Sequence, residues 1–160
     1  MPTTAKTALD ALHSALLTIP NSVSANPGDT VASGKIPIYL EPDKDLPPLS
    51  QGAVAVFWGD QSEPVDTTLS PLLYHWVHRV EVDAMVSHAT ATTRRTNLDT
   101  LLSAISAAIL ADQTLGGAVE YAALDTGPQI VDEEITGAAT ERGAILTVTL
   151  HYTTAGSALA

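Results

Sequence analysis

The side chains best suited to acid–base or metal chemistry in this chain are its five histidines and its carboxylates, since cysteine is absent and with it thiolate ligands, thiol nucleophiles and disulfides. His75 and His78 have a short metal-ligand spacing, but they lie in the alternating run Tyr74–Val86, which reads as a strand. Residues three apart in a strand point to opposite faces, so these two imidazoles cannot hold one ion. A helix would bring them together, and the alternation argues against one. His75 and Asp83 do share a strand face, yet eight residues at about 3.3 Å each keep them about 26 Å apart. His13, His88 and His151 are isolated in sequence. No GxSxG elbow is present, and Gly116-Gly117 and Gly127-Pro128 lack the strand–loop–helix setting and the lysine of a phosphate-binding loop. The reading is therefore no enzyme: no catalytic residue, no cofactor and no metal are expected.

Charged side chains offer a different kind of chemistry, that of recognition. Asp132-Glu133-Glu134 is the one acidic run, and without a second cluster at ligand spacing it reads as a solvated strand or loop rather than a cation site. Arg79, Arg94, Arg95 and Arg142 are the only basic residues after Lys44. In an acidic chain they suit paired contacts with carboxylates across an interface, with ordinary exposed ion pairs as the other reading. Eighteen acids against seven lysines and arginines give a net charge of −11, a sign that repels nucleic acid and anionic membranes. No apolar run reaches the roughly 20 residues of a membrane span, and Asp10 and His13 interrupt any signal-peptide core.

The elements that must position these residues follow from periodicity. A chain of 160 residues fits one domain, 1–160. Ala5, Leu9, Leu12, Leu16 and Ile19 predict an N-terminal helix over about 4–19, capped by Thr3 or Thr4 and stopped by Pro20. Segment 21–50 is irregular and rich in Pro and Gly, with one strand at Lys35–Leu40 that Pro37 confines to an edge or a loop arm. Ala53–Trp58 is apolar on both faces, as a covered central strand would be, and Gln61–Pro71 reads as an exposed loop. Tyr74–Val86 buries its even positions and leaves Arg79, Glu81 and Asp83 on a wet face. A long helix at about 93–111, capped by Thr92 or Thr93, carries Leu98, Leu101, Leu102, Ile105 and Ile109. Gly116-Gly117 ends it, and Ala118–Leu124 reads as a strand or a helical turn. Gln129–Thr136, a turn around Gly137-Ala138 and the strand Ala144–Thr153 complete the chain, with a flexible tail at 155–160. The Tyr74 and closing strands should pair antiparallel. The fold class is α+β, a mostly antiparallel sheet of four to five strands with both helices packed on it.

Several strings in this framework resemble the tail terminator proteins of long-tailed phages and phage-like particles, typified by the lambda minor tail protein U family. They are His78–Val86, Arg94–Leu102, Leu110–Val119 with its Asp-x-Thr-Leu-Gly-Gly string, and Gly143–Thr153. The likeness spans about Lys6 to Tyr152 in outline and is sharpest over Tyr74–Val119. Segment 21–50 departs from the short connection of the family. The resemblance implies a virion structural protein of the tail, assembled in the host cytoplasm into a homohexameric ring at the head-proximal end of the tail tube. Its partners would be other copies of itself, the major tail tube protein and the head completion or connector protein. DNA would pass through an acidic lumen without specific binding, and no membrane would be involved. The implied interface candidates are Arg79, Arg94, Arg95, Asp132, Glu133 and Glu134, with Arg94 and Arg95 meeting the acidic run of a neighbouring subunit. The alternatives are another head–tail connector or tail-completion subunit, and a small soluble enzyme whose His/Asp site forms only in three dimensions.

Overall fold

The computed structural model describes residues 4–43, 46–60, 64–125, 127–133 and 140–155. In chain order the elements are α1 (Ala5–Leu16), β1 (Ser22–Ser24), β2 (Ile36–Leu40), β3 (Ala53–Asp60), β4 (Asp66–Leu69), β5 (Leu72–Ser87), α2 (Ala91–Ala111), β6 (Tyr121–Leu124), β7 (Gln129–Glu133) and β8 (Glu141–Thr154). The turn around Gly137-Ala138, the strand end 134–136, Thr3 and residues 156–160 lie outside the described residues.

Among the described residues the sheet has eight strands rather than four to five. Its frame is the expected antiparallel pair, β5 and β8, in register from Tyr74↔Thr154 to Ser87↔Glu141. Each long strand carries two short ones end to end on its other edge. β3 and β4 line β5, and β6 and β7 line β8. The short strands explain the miscount, because β1, β4 and β6 have three or four residues each, too few to show a period in sequence. β4 corrects the loop reading of Gln61–Pro71 over 66–69, since it forms a hairpin with β5 through Ser70-Pro71, while its four residues are exposed as expected; residues 61–63 lie outside the described residues. β2 is likewise not the edge, because β1 pairs parallel beyond it, with Val23 opposite Pro37. Β-strands β1, β2 and β3 run parallel, and the remaining pairings are antiparallel.

Both helices lie on one face of the sheet. Leu9, Leu12 and Leu16 of α1 and Leu98, Leu101, Ile105 and Ile109 of α2 form one cluster with Val54, Val56, Val80, Val82, Val148 and Leu150. These are the even positions of β5 and their register partners, so strand alternation and helical spacing define one core. Thr4 caps α1 through a bond from the Thr7 amide at 3.0 Å. The helix closes at Leu16 instead of Ile19, with residues 17–19 in tighter turns. α2 begins earlier than predicted, with Thr90 at the N-cap position but making no side-chain cap bond, so Thr92 and Thr93 sit inside the first turn.

The opposite sheet face is covered over only part of its width. In the connection from β2 to parallel β3, Leu46 lies on that side and packs with Tyr39, Ala53 and Ala55. This accounts for a β3 apolar on both faces, with Ala53 to Val56 all fully buried. Part of segment 21–50 thus acts as a lid over β2 and β3; Lys44 and Asp45 lie outside the described residues.

Candidate functional site

The uncovered half of that second face is a polar surface built from β5, β8 and the turn after β6. Arg79, Glu81 and Asp83 project from β5 at alternate positions, opposite Thr149, Thr147 and Ile145 of β8. Arg79 is exposed and its Nε lies 3.8 Å from Asp125, whose other oxygen accepts from the Thr149 hydroxyl at 2.6 Å. An ion pair this long between two partly exposed groups adds under about 1 kcal/mol. Asp83 is not as wet as its alternation implied. Half-buried between Ala55 and Ile145, it has one carboxylate oxygen with no hydrogen-bond partner among the described residues. Burial, then the neighbouring Glu81 carboxylate, pushes its pKa up to about 7 from 3.8.

The histidines do not converge. Strand alternation places His78 among the helix-side residues and His75 on the opposite face, as the spacing required. His78 is fully buried, and burial lowers its pKa. Its Nε2 donates to the Trp58 carbonyl at 2.5 Å, which fixes the neutral tautomer and leaves Nδ1 to accept from the Tyr152 hydroxyl at 2.9 Å. The Trp58 carbonyl is turned toward His78 at a β-bulge, where the β3–β5 register slips by one residue between Phe57 and Asp60. Gly59 sits there at φ +70°, and a Cβ on it would lie 1.9 Å from the Arg79 carbonyl oxygen.

His75 belongs to a surface chain that sequence reading missed, because its members come from four separate segments. Thr153 donates to Glu120 at 2.6 Å and so accepts from His75 Nδ1 at 3.1 Å, while Thr68 lies 2.8 Å from Nε2. The chain ties the β4–β5 hairpin to β8. His13 bonds the Ile38 carbonyl, His88 accepts from the Thr90 amide, and His151 packs on Tyr121. Among the described residues no three His, Asp or Glu form a metal-binding group.

Of the interface candidates, Arg94, Arg95, Asp132 and Glu133 lie at one end of the sheet. Arg94 and Arg95 lie in the opening turns of α2, which has no side-chain cap and no acid in its first turn. Arg94 donates from Nη1 to the His88 and Ala89 carbonyls at 2.7 and 3.3 Å, locking the turn into the helix, while Arg95 is exposed. Positive side chains beside the positive end of a helix dipole make this a basic pole on an acidic molecule. The His88 amide bonds the Thr140 carbonyl, which puts the pole at the end where β7 finishes. In the β7–β8 ladder Asp132 is opposite Arg142 and Glu133 opposite Glu141; Glu134 lies outside the described residues. Arg79 stands apart from this end, on the open sheet face.

Asp112-Gln-Thr-Leu-Gly-Gly is a structural turn. The Asp112 carboxylate accepts from the Thr114 hydroxyl and amide and from the Gly116 amide, which also holds its pKa down. Leu115, Gly116 and Gly117 have positive φ, and the turn sends the chain from α2 into β6 with Leu115 and Val119 buried. No helix of the described residues is long and apolar enough to cross a membrane. Comparison with known protein families and with curated proteins finds no match to this chain.

Proposed function

We propose that this chain is a structural subunit of a phage or phage-like tail, a terminator that joins five other copies in a ring on the head-proximal end of the tail tube. The ring ends tube growth, offers its other face to the head completion or connector protein, and leaves an acidic channel through which DNA passes without specific contacts. The role needs no bond-making step. The observation that carries the reading is the charge arrangement: a basic pole at the start of α2, in a chain of net charge −11, at the same end of the sheet as the acidic end of β7. Subunits standing side by side in a ring present the same end to the same level, so a basic group on one can meet an acidic group on the next. The strings resembling the terminator family support it from a second direction, since β5, α2 and the Asp112 turn form one continuous unit of the core.

In this reading Arg94 and Arg95 of one subunit face Asp132, Glu133 and Glu134 of its neighbour. Charge reversal of both arginines to glutamate should abolish ring assembly in a protein that still folds, with a somewhat lower unfolding temperature because the Arg94 bonds to the His88 and Ala89 carbonyls are lost; Arg95→Glu alone should weaken assembly at an unchanged unfolding temperature. Rings that form in the double variant with unchanged salt dependence would refute the assignment.

A further inference from the structure

The hairpin of β4 and β5 carries apolar surface that its own chain leaves bare. Leu69 and Leu72 close it as a register pair on either side of Ser70-Pro71, and they are 82% and 48% exposed. Val65, just before β4, is 65% exposed. Strand alternation places Leu69 and Leu72 with Tyr74 on the helix side of the sheet, while Asp66, Thr68 and His75 take the other side. The hairpin is thus an amphipathic ribbon extending beyond the helices that cover the rest of that face. A two-stranded ribbon is marginal in water unless a helix or further strand covers its apolar side.

A helix with a spare face is present on the same chain. The outer side of α2 presents Leu102, Ser106 and Leu110, the last 63% exposed, above Leu124, Pro128 and Leu146. Together they form an open groove of about 500 Å³. A cavity of about 150 Å³ takes benzene, so the groove has room for two or three branched side chains. Ribbon and groove lie on opposite edges of the sheet. At Tyr74 and His75, β5 pairs with β4 on one side and β8 on the other, and the groove is on the far side of β8 beside β6. They cannot meet within one chain.

We infer that the β4–β5 ribbon of one copy seats Leu69 and Leu72 in the α2–β6 groove of the next. Donor and acceptor on opposite edges make the contact heterologous, the type that builds rings or open chains rather than two-fold dimers. The three exposed side chains of the ribbon bare on the order of 300 Å² of apolar surface, the size of a functional patch. A stable pair needs about 800 Å² per partner, so this contact alone gives weak association that becomes firm only when each subunit engages two neighbours. The inference deepens the ring reading and rests on it only for closure. Because every copy is strongly negative, screening the charge should strengthen this apolar contact, the opposite of the response of the arginine contact.

The lack of cysteine permits a direct test on the full chain. Leu69→Cys and Leu110→Cys proteins, mixed in equal amounts at high concentration and oxidised, should give chiefly the mixed 69–110 disulfide. No covalent dimer, or no excess of the mixed species over the two same-site dimers, would overturn the contact. In sedimentation equilibrium, the double variant Leu69→Ser with Leu72→Ser should keep the wild-type unfolding temperature and lose about tenfold or more in self-affinity; unchanged self-affinity would also overturn it. Rings that form without the 69–110 bridge would refute this contact and leave the ring reading standing. A bridge in assemblies that ignore tail tubes would support the contact and count against the terminator reading.

Discussion

Asp83→Asn should stabilise this protein at alkaline pH and do little at acid pH. Asp83 holds its proton up to about pH 7 in the folded state because burial and the Glu81 carboxylate penalise its charge, whereas the unfolded chain releases the proton near 3.8. Between those values the folded state binds more protons than the unfolded one, so stability falls as pH rises through the window and levels off above it. At full strength the gap corresponds to roughly 4 kcal/mol. Asp83 is only half-buried, and solvent screening brings the expected gain for the asparagine variant to about 1–2 kcal/mol at about pH 8. For a chain of this size that is roughly 3–6 °C in melting temperature. The assay is thermal unfolding by circular dichroism at about pH 4, 6 and 8, read as variant minus wild type. The subtraction removes His78, whose lowered pKa acts in the opposite sense by costing stability as pH falls below its ordinary value near 6.5. Glu81→Gln should recover only part of the gain, because burial, the larger cause, remains. A difference that stays flat from pH 4 to 8, or an asparagine variant less stable at pH 8, would refute the reasoning.

Other expectations follow from the bulge and its histidine. Gly59→Ala places a Cβ against the Arg79 carbonyl at a positive φ, and should cost about 2–4 kcal/mol in denaturant unfolding. His78→Leu removes the hydrogen bonds to the Trp58 carbonyl and the Tyr152 hydroxyl, for a loss of roughly 1–3 kcal/mol, and should flatten the fall in stability on the acid side of neutrality. Duplex DNA should show no measurable binding in a fluorescence anisotropy titration at about 150 mM salt, as the charge of the chain requires; saturable binding would contradict the acidic channel.

The parts of this fold that were legible in the sequence are those long enough to display a period. Most of the thirteen residues from Tyr74 to Val86 alternate, with His78, Val77 and Met85 as exceptions, and the paired strand from Ala144 to Thr153 does much the same, so the central pair and the helix-facing side could be read directly. The α2 stripe Leu98, Leu101, Ile105 and Ile109 was equally clear. β4 was not, because Asp66-Thr-Thr-Leu has one apolar residue and stands between Pro64 and Pro71. It exists because β5 runs past β3 and leaves an edge to pair. The half-burial of Asp83 was hidden for a related reason, as its neighbours Ala55 and Ile145 come from two other strands and no local pattern in β5 reports them. Of the candidate residues, the separation of His75 from His78 could be derived from strand geometry alone. The locking of Arg94 onto the His88 and Ala89 carbonyls could not, since it depends on where α2 begins.

The central claim is that this chain caps a tail tube, and it is tested most directly by electron microscopy of the purified protein mixed with tubes polymerised from the tail tube subunit of the same particle. The account predicts a six-fold ring at one end of each tube and a halt to elongation at that end. Tubes with bare ends that continue to lengthen in the presence of excess protein would contradict it.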